Sequence, residues 1–106
     1  MKPISFVKKT MEELNRQPAG SIGKDSRFPV YVVLDDVRSM HNVGSSFRTG
    51  DAFHVQGIAL CGYTPRPPHR DIHKTALGAT ETVPWTYYEE VTAAIGVLKA
   101  EGFTIY

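Results

Sequence analysis

Cysteine is nearly absent from this sequence, since Cys61 is the only one among 106 residues. A lone cysteine excludes an internal disulfide, and the apolar residues that precede Cys61 predict a small buried side chain in a reducing compartment. No stretch approaches the ~20 apolar residues of a membrane-spanning helix, and the first residues lack the apolar centre of a secretion signal. We therefore expect a cytoplasmic protein without a membrane partner.

Net charge is also nearly absent, because 12 basic side chains are balanced by 11 acidic ones. This balance argues against a protein that holds nucleic acid by bulk charge alone. The charge is uneven along the chain: residues 1–27 contain six Lys or Arg and three acids, whereas residues 81–106 contain Lys99 and four Glu. The basic end is the amino end.

The length allows about one small domain, which we place at residues 28–106 after a helical arm and linker at residues 1–27. In the arm, residues 6–17 have apolar side chains at helical spacing, and residues 18–26 are rich in proline, glycine and polar residues. The domain opens with a continuous β-branched and aromatic run at residues 30–34. Such a run is typical of a strand covered on both faces, and hence of a parallel sheet.

Helical and strand patterns alternate through the rest of the chain. The predicted helices are residues 43–53, 69–77 and 89–101, and the predicted strands are residues 57–61, 82–85 and 103–106. The alternation predicts an α/β fold with an open parallel sheet and Rossmann-like strand-helix connections. Open sheets of this kind bind ligands beyond the carboxyl ends of their strands.

Functional groups concentrate in residues 42–53, which place an amide, hydroxyls and an arginine at the start of a predicted helix. Free backbone N–H groups there favour an anionic ligand. Asn42 suits the helix cap, and helical spacing puts Ser45, Arg48 and Thr49 on one face. The guanidinium of Arg48 suits a phosphate or an oxygen that becomes an anion. No nucleotide-binding glycine fingerprint is present.

Each of these residues also has a structural explanation when taken alone. Asn42 could be only a cap, Arg48 could pair with Asp51 on the surface, and Gly44 could merely permit close packing. Their combination after an apolar strand is less common by chance, and it favours a functional site.

Residues 34–53, with the sequence LDDVRSMHNVGSSFRTGDAF, resemble the first conserved motif of the SpoU (TrmH-type) RNA methyltransferases of the SPOUT superfamily. Residues 58–61 resemble the second strand of that family, and residues 73–79 and 83–85 resemble its next segment. The similarity covers roughly residues 30–106, and the ordered combination of asparagine, glycine, arginine-threonine and Asp-Ala-Phe is specific.

The resemblance implies transfer of a methyl group from S-adenosylmethionine to a ribose 2′-hydroxyl of tRNA or rRNA, without a metal. It implies that Arg48 assists activation of that hydroxyl and contacts the adjacent phosphate, and that Asn42 shapes the substrate site. Because arginine is a weak base, we favour electrostatic stabilisation of the developing alkoxide as the role of Arg48. For the complete protein the resemblance implies a homodimer.

The sequence departs from the family pattern at its carboxyl end. The family continues through two further motifs that form a trefoil knot, bind the cofactor and build the dimer interface, and neither has a counterpart here. We therefore expect an incomplete SPOUT fold that lacks the C-terminal knot, and we assign no cofactor-binding residue. We also expect that the 106-residue chain alone does not methylate RNA.

A second group of basic residues follows the predicted strand at residues 57–61. Arg66, Arg70 and Lys74 form a candidate binding surface for the RNA backbone, with a solvated loop as the alternative. His69 and His73 are four residues apart, but no further ligand stands at a recognised metal spacing, so we predict no metal site.

For the aromatic and acidic residues near the predicted strands, we favour structural roles. Trp85, Tyr87 and Tyr88 lie beside a predicted strand, and we expect them to pack rather than to stack on bases. Asp35 and Asp36 are adjacent at a strand end and point in opposite directions, so we expect them to position a loop.

Two functions from different classes fit these observations. One is an RNA 2′-O-methyltransferase, and the other is a non-catalytic RNA-binding or assembly module that uses the same basic loops. A weaker third is an anion-binding domain for small phosphorylated metabolites, which would show little salt-sensitive affinity for RNA.

Overall fold

The computed structural model describes residues 4–9 and 27–106. Within them the elements are β1 (Ile4–Lys9), β2 (Phe28–Asp35), α1 (Met40–Ala52), β3 (Val55–Cys61), α2 (Arg70–Ala76), α3 (Ala79–Thr82), β4 (Trp85–Tyr88), α4 (Val91–Ala100) and β5 (Phe103–Ile105). In this part of the chain, no helix has the length and apolar character needed to cross a membrane.

The strands form one sheet in the order β4-β3-β2-β1-β5. Strands β2, β3 and β4 are parallel, whereas β1 runs antiparallel to both of its neighbours, β2 and β5. The parallel part alternates with helices, which confirms the predicted α/β class and is consistent with an incomplete SPOUT-like fold. Asp35, Cys61 and Tyr88 are aligned in register at the ends of the three parallel strands. The loops that follow these residues therefore lie at one edge of the sheet, here called the carboxyl edge.

Successive side chains of β2 enter two different apolar cores. Val32 and Leu34 belong to the core beneath α1, α2 and α3, while Val33 belongs to a second core with residues of α4 and β5. All three side chains are at most 6% exposed. The continuous apolar run therefore reflects a strand covered on both faces, as predicted.

The helix predicted at residues 6–17 is wrong where it can be compared, because residues 6–9 belong to strand β1. Residues 10–17 and the linker at residues 18–26 lie outside the described residues. Strand β1 is paired along both of its edges, and helical spacing within one segment cannot reveal backbone hydrogen bonds to distant strands. The division into an arm and a domain stays a prediction.

One other predicted element is displaced. The strand predicted at residues 82–85 instead begins at Trp85, because Thr82 ends α3 and Pro84 follows it. Helix α4 agrees closely with its prediction, and Gly102, at φ 94°, lies just beyond its end in a conformation that favours glycine.

Candidate functional site

Helix α1 begins at Met40 because Ser39 caps it. The Ser39 Oγ accepts a hydrogen bond from the backbone N–H of Asn42 at 3.1 Å, and Ser39 itself is extended. The prediction that Asn42 is the cap is therefore wrong, since Asn42 lies inside the first turn. Its carbonyl oxygen accepts a hydrogen bond from Ser46 Oγ at 2.9 Å.

An open groove of about 570 Å³ runs between α1 and the sheet. The residues that line it are Phe28, Val30, Val32, Asn42, Ser45, Ser46, Thr49, Gly50, Phe53, Val55 and Tyr106. The groove therefore brings together three predicted binding residues, Asn42, Ser45 and Thr49. Ser46 was not selected from the sequence, although its position four residues after Asn42 puts it on the same helical face.

Arg48 lies on α1 but does not line the groove. Helical geometry places it about 60° around the axis from Ser45, on the exposed side of the helix. No hydrogen bond or ion pair to Arg48 is found within residues 27–106. Asp51, its candidate partner, instead accepts a hydrogen bond from Thr82 Oγ1 at 2.9 Å. The Arg48 guanidinium is therefore exposed and available to a ligand.

Gly44 lets α1 approach α2. A Cβ atom on Gly44 would overlap Thr75 Oγ1 and the carbonyl oxygen of Ile72. The same Thr75 hydroxyl donates a hydrogen bond to the His41 carbonyl oxygen at 3.3 Å. These contacts confirm that Gly44 permits close packing, and they fix the position of α2 relative to the groove.

The predicted basic residues divide between α2 and the loop after β3. Arg70 begins α2 and Lys74 lies one turn later, and both are exposed. The Lys74 Nζ is 3.9 Å from Asp71 Oδ1 in a surface pair that contributes little to stability. The guanidinium carbon of Arg66 lies 3.9 Å from the centre of the Tyr87 ring. None of these basic residues lines the groove, so the predicted site residues occupy separate surfaces.

The hydroxyl of Thr64 joins two loops at the carboxyl edge. It accepts a hydrogen bond from the backbone N–H of Val37 at 3.1 Å and lies 2.7 Å from the carbonyl oxygen of Cys61 and 3.1 Å from that of Leu34. Thr64 is only 3% exposed. Nothing in its sequence neighbourhood marks this threonine, because two of its three partners, Val37 and Leu34, lie 27 and 30 residues earlier.

A second cavity, of about 400 Å³, opens at the carboxyl edge. Its lining consists of Asp35, Asp36, Gly62, Tyr63, Tyr87, Glu89, Glu90 and Val91. The Asp36 Oδ1 accepts a hydrogen bond from the backbone N–H of Tyr63 at 2.8 Å, which confirms that Asp36 positions a loop. Trp85, Tyr87 and Tyr88 pack against the two cores, as predicted.

The thiol of Cys61 is fully buried at the end of β3. Burial, followed by the nearby carboxylates of Asp35 and Asp36, raises the pKa of this thiol from its ordinary value of 9.0 to about 11. The group is therefore neutral at physiological pH, which confirms its predicted role as a small buried side chain.

The two histidines considered as metal ligands have other partners. His69 Nδ1 accepts a hydrogen bond from the backbone N–H of Asp71 at 3.1 Å and so caps α2, while His73 Nδ1 lies 3.4 Å from Thr80 Oγ1. Among the described residues, no group of three His, Cys, Asp or Glu side chains converges as metal ligands do.

The chain is 33% identical over 81 residues to an uncharacterized tRNA/rRNA methyltransferase of Synechocystis, a match that covers 76% of the chain and 21% of the relative. It is 29% identical over 94 residues to the 23S rRNA (guanosine-2′-O-)-methyltransferase of Vibrio parahaemolyticus, a match that covers 89% of the chain and 38% of that relative. The corresponding enzyme of Nitrosomonas europaea is 32% identical over 74 residues, covering 70% and 28%.

The chain thus spans between about a fifth and two fifths of the length of these relatives. Its residues 29–106 match the model of the SpoU rRNA Methylase family. That match covers most of the chain and includes α1 and the carboxyl edge. The chain therefore belongs to the SpoU rRNA methylase family.

Proposed function

We propose that this chain is part of an RNA methyltransferase that transfers a methyl group from S-adenosylmethionine to a ribose 2′-hydroxyl of tRNA or rRNA. The names of its relatives support the reaction class. Within the chain, the observation that carries the proposal is Arg48, whose exposed guanidinium has no ion-pair partner in residues 27–106 and which lies on the same helix as the groove residues Asn42, Ser45 and Thr49.

Electrostatics explain why an unpaired guanidinium suits this reaction. A ribose hydroxyl is a poor nucleophile at neutral pH, and Arg48 stabilises the negative charge that develops on its oxygen during attack. Arginine keeps its own proton, so Arg48 acts by charge rather than as a general base. The Asn42 amide and the hydroxyls of Ser45 and Thr49 supply hydrogen bonds to ribose and phosphate oxygens. Arg70 and Lys74, on a separate surface, bind the RNA backbone.

The described residues do not fit S-adenosylmethionine by themselves. The groove presents no charged side chain to the ammonium and carboxylate groups of that cofactor. We therefore propose that the cofactor binds to the rest of a longer protein, which we expect to be a cytoplasmic homodimer.

The test is Arg48→Ala in the longest form of the protein that methylates RNA. We expect the rate of methyl transfer to fall by about 10²- to 10³-fold, as when a preorganised charge-stabilising donor is lost, with only a modest change in RNA affinity. Lys99→Gln, a change on the opposite face of the sheet, is the control. Unchanged methyl transfer in Arg48→Ala would contradict the assigned role.

The same experiment separates the proposal from its alternative. If Arg48→Ala lowered RNA affinity and methyl transfer by the same factor, a non-catalytic RNA-binding or assembly module would be the better description of this part of the protein. The isolated 106-residue chain is expected to transfer no label from S-adenosylmethionine, and detectable transfer would show that it holds the cofactor unaided.

A further inference from the structure

Two arginines stack on two tyrosines at the carboxyl edge. The guanidinium carbon of Arg38 lies 4.7 Å from the centre of the Tyr63 ring, and that of Arg66 lies 3.9 Å from the centre of the Tyr87 ring. Tyr63 and Arg66 belong to the same loop after β3, so the two pairs flank one loop. We call these four residues the stacked surface.

Hydrogen bonds hold the stacked surface in place. The backbone N–H of Tyr63 is bound to Asp36 Oδ1 at 2.8 Å, and the Tyr87 hydroxyl donates to the Gly62 carbonyl oxygen at 2.7 Å. Thr64, between these residues, is fixed by its buried hydroxyl. A planar surface that is already ordered loses little conformational entropy when a ligand binds to it.

Packing does not account for Tyr63. Its side chain is 73% exposed, and the Arg38 that covers one part of it is exposed as well. Tyr87, in contrast, is half-buried and packs against the core beneath α1. An exposed aromatic ring beneath a guanidinium adds little to folding, yet it presents a flat surface on which a base can stack.

The charges around the stacked surface indicate which part of an RNA binds there. The adjoining cavity is lined by Tyr63 and Tyr87 and by Asp35, Asp36, Glu89 and Glu90. These carboxylates repel phosphate groups and acidic peptides, but they accept hydrogen bonds from the N–H groups at the edge of a base. Unpaired bases in RNA are commonly recognised by stacking on aromatic rings and arginine planes together with such edge contacts.

We propose that the stacked surface binds an unpaired nucleobase of the RNA, stacked on Tyr63 and Arg38, with its N–H edge directed towards the carboxylates of the cavity. This inference rests on the proposed function in taking RNA as the ligand. It assigns a binding role to Arg38 and Tyr63 and places base recognition away from the groove and Arg48.

Fluorescence anisotropy with labelled, unstructured RNA 12-mers tests the proposal. One oligonucleotide carries adenine bases, and a matched one has the same ribose-phosphate backbone with abasic central positions. Tyr63→Leu keeps apolar bulk without the ring, and Arg38→Lys keeps the charge without the plane. We expect each variant to bind the adenine RNA at least about fivefold more weakly and the abasic RNA with unchanged affinity, because only stacking is removed.

Val97→Ala and Lys99→Gln, on α4 beyond the second core, are matched controls and should bind both RNAs as the parent does. Unchanged binding of the adenine RNA by both stacked-surface variants would overturn the proposal. Equal weakening for both RNAs would overturn it as well, because the residues would then contact the backbone. Affinity is measured without methyl transfer, so a protein that shows this base dependence but never methylates RNA would refute the proposed function alone.

Discussion

Gly44 lies against Thr75 so closely that the backbone of α1 touches the side chain of α2, with no room for a methyl group between them. The contact fixes the distance between the helix that holds Arg48 and the helix that holds Arg70 and Lys74. Glycine therefore acts here through its lack of volume, since its backbone is ordinary helix.

Replacing Gly44 by alanine is expected to destabilise the fold, although alanine has the higher helix propensity. Overpacking costs about 1–3 kcal/mol, and the gain in propensity of about 1 kcal/mol offsets only part of it. Gly96 in α4 is the matched control, because nothing lies within 4 Å of the position of its Cβ. In urea titrations Gly44→Ala should unfold earlier than the parent and Gly96→Ala slightly later. A later midpoint for Gly44→Ala would show that the two helices adjust without cost.

Thr64→Val tests the junction of the loops at the carboxyl edge. Valine keeps the shape of threonine but leaves the buried backbone N–H of Val37 without its partner. The Cys61 carbonyl oxygen loses the hydroxyl and still accepts hydrogen bonds from the N–H groups of Asp36 and Thr64. Buried unpaired groups of this kind cost about 1–3 kcal/mol, so we expect a loss of that size in the free energy of unfolding. Thr64→Ser retains the hydroxyl and should lose much less. Similar midpoints for the two variants would mean that the hydrogen bonds contribute nothing net.

The raised pKa of Cys61 predicts that stability depends on pH in the alkaline range. Its pKa is raised from 9.0 to about 11 in the folded state, first by burial and then by Asp35 and Asp36. The unfolded chain thus loses this proton before the folded one does, so the stabilising effect is complete below pH 9 and is lost as the pH rises towards 11. Between those values the free energy of unfolding should fall more steeply for the parent than for Cys61→Ala. Parallel curves would indicate a thiol that titrates normally.

The parts of the fold that could be predicted from the sequence have local signals. Val32, Val33 and Leu34 form part of an uninterrupted apolar run because both faces of β2 are covered, and that pattern is visible in any window around them. Helix α4 has an apolar stripe and a glycine just beyond its end. The motif around Arg48 was recognisable because its residue types occur in a fixed order along a single helix.

The errors arise where the outcome depends on distant residues. Ser39 and Asn42 are equally good capping residues, and the choice between them depends on where the loop after β2 ends and α1 begins. Thr64 joins two loops only because strands β2 and β3 end side by side. The stacking of Arg66 on Tyr87 also joins residues 21 positions apart, and no local pattern indicates it.

Strand β5 is joined to the rest of the sheet through β1, and the paired residues come from almost opposite ends of the sequence. Contacts between such distant segments form slowly, because the entropy of closing a long loop is lost before any pairing is gained. The pairing of β2 with β3 and of β3 with β4, and the packing of α1 on these strands, can form without that closure. The seam between β1 and β5 is therefore expected to be the last part of the sheet to form, and the first to open in hydrogen exchange.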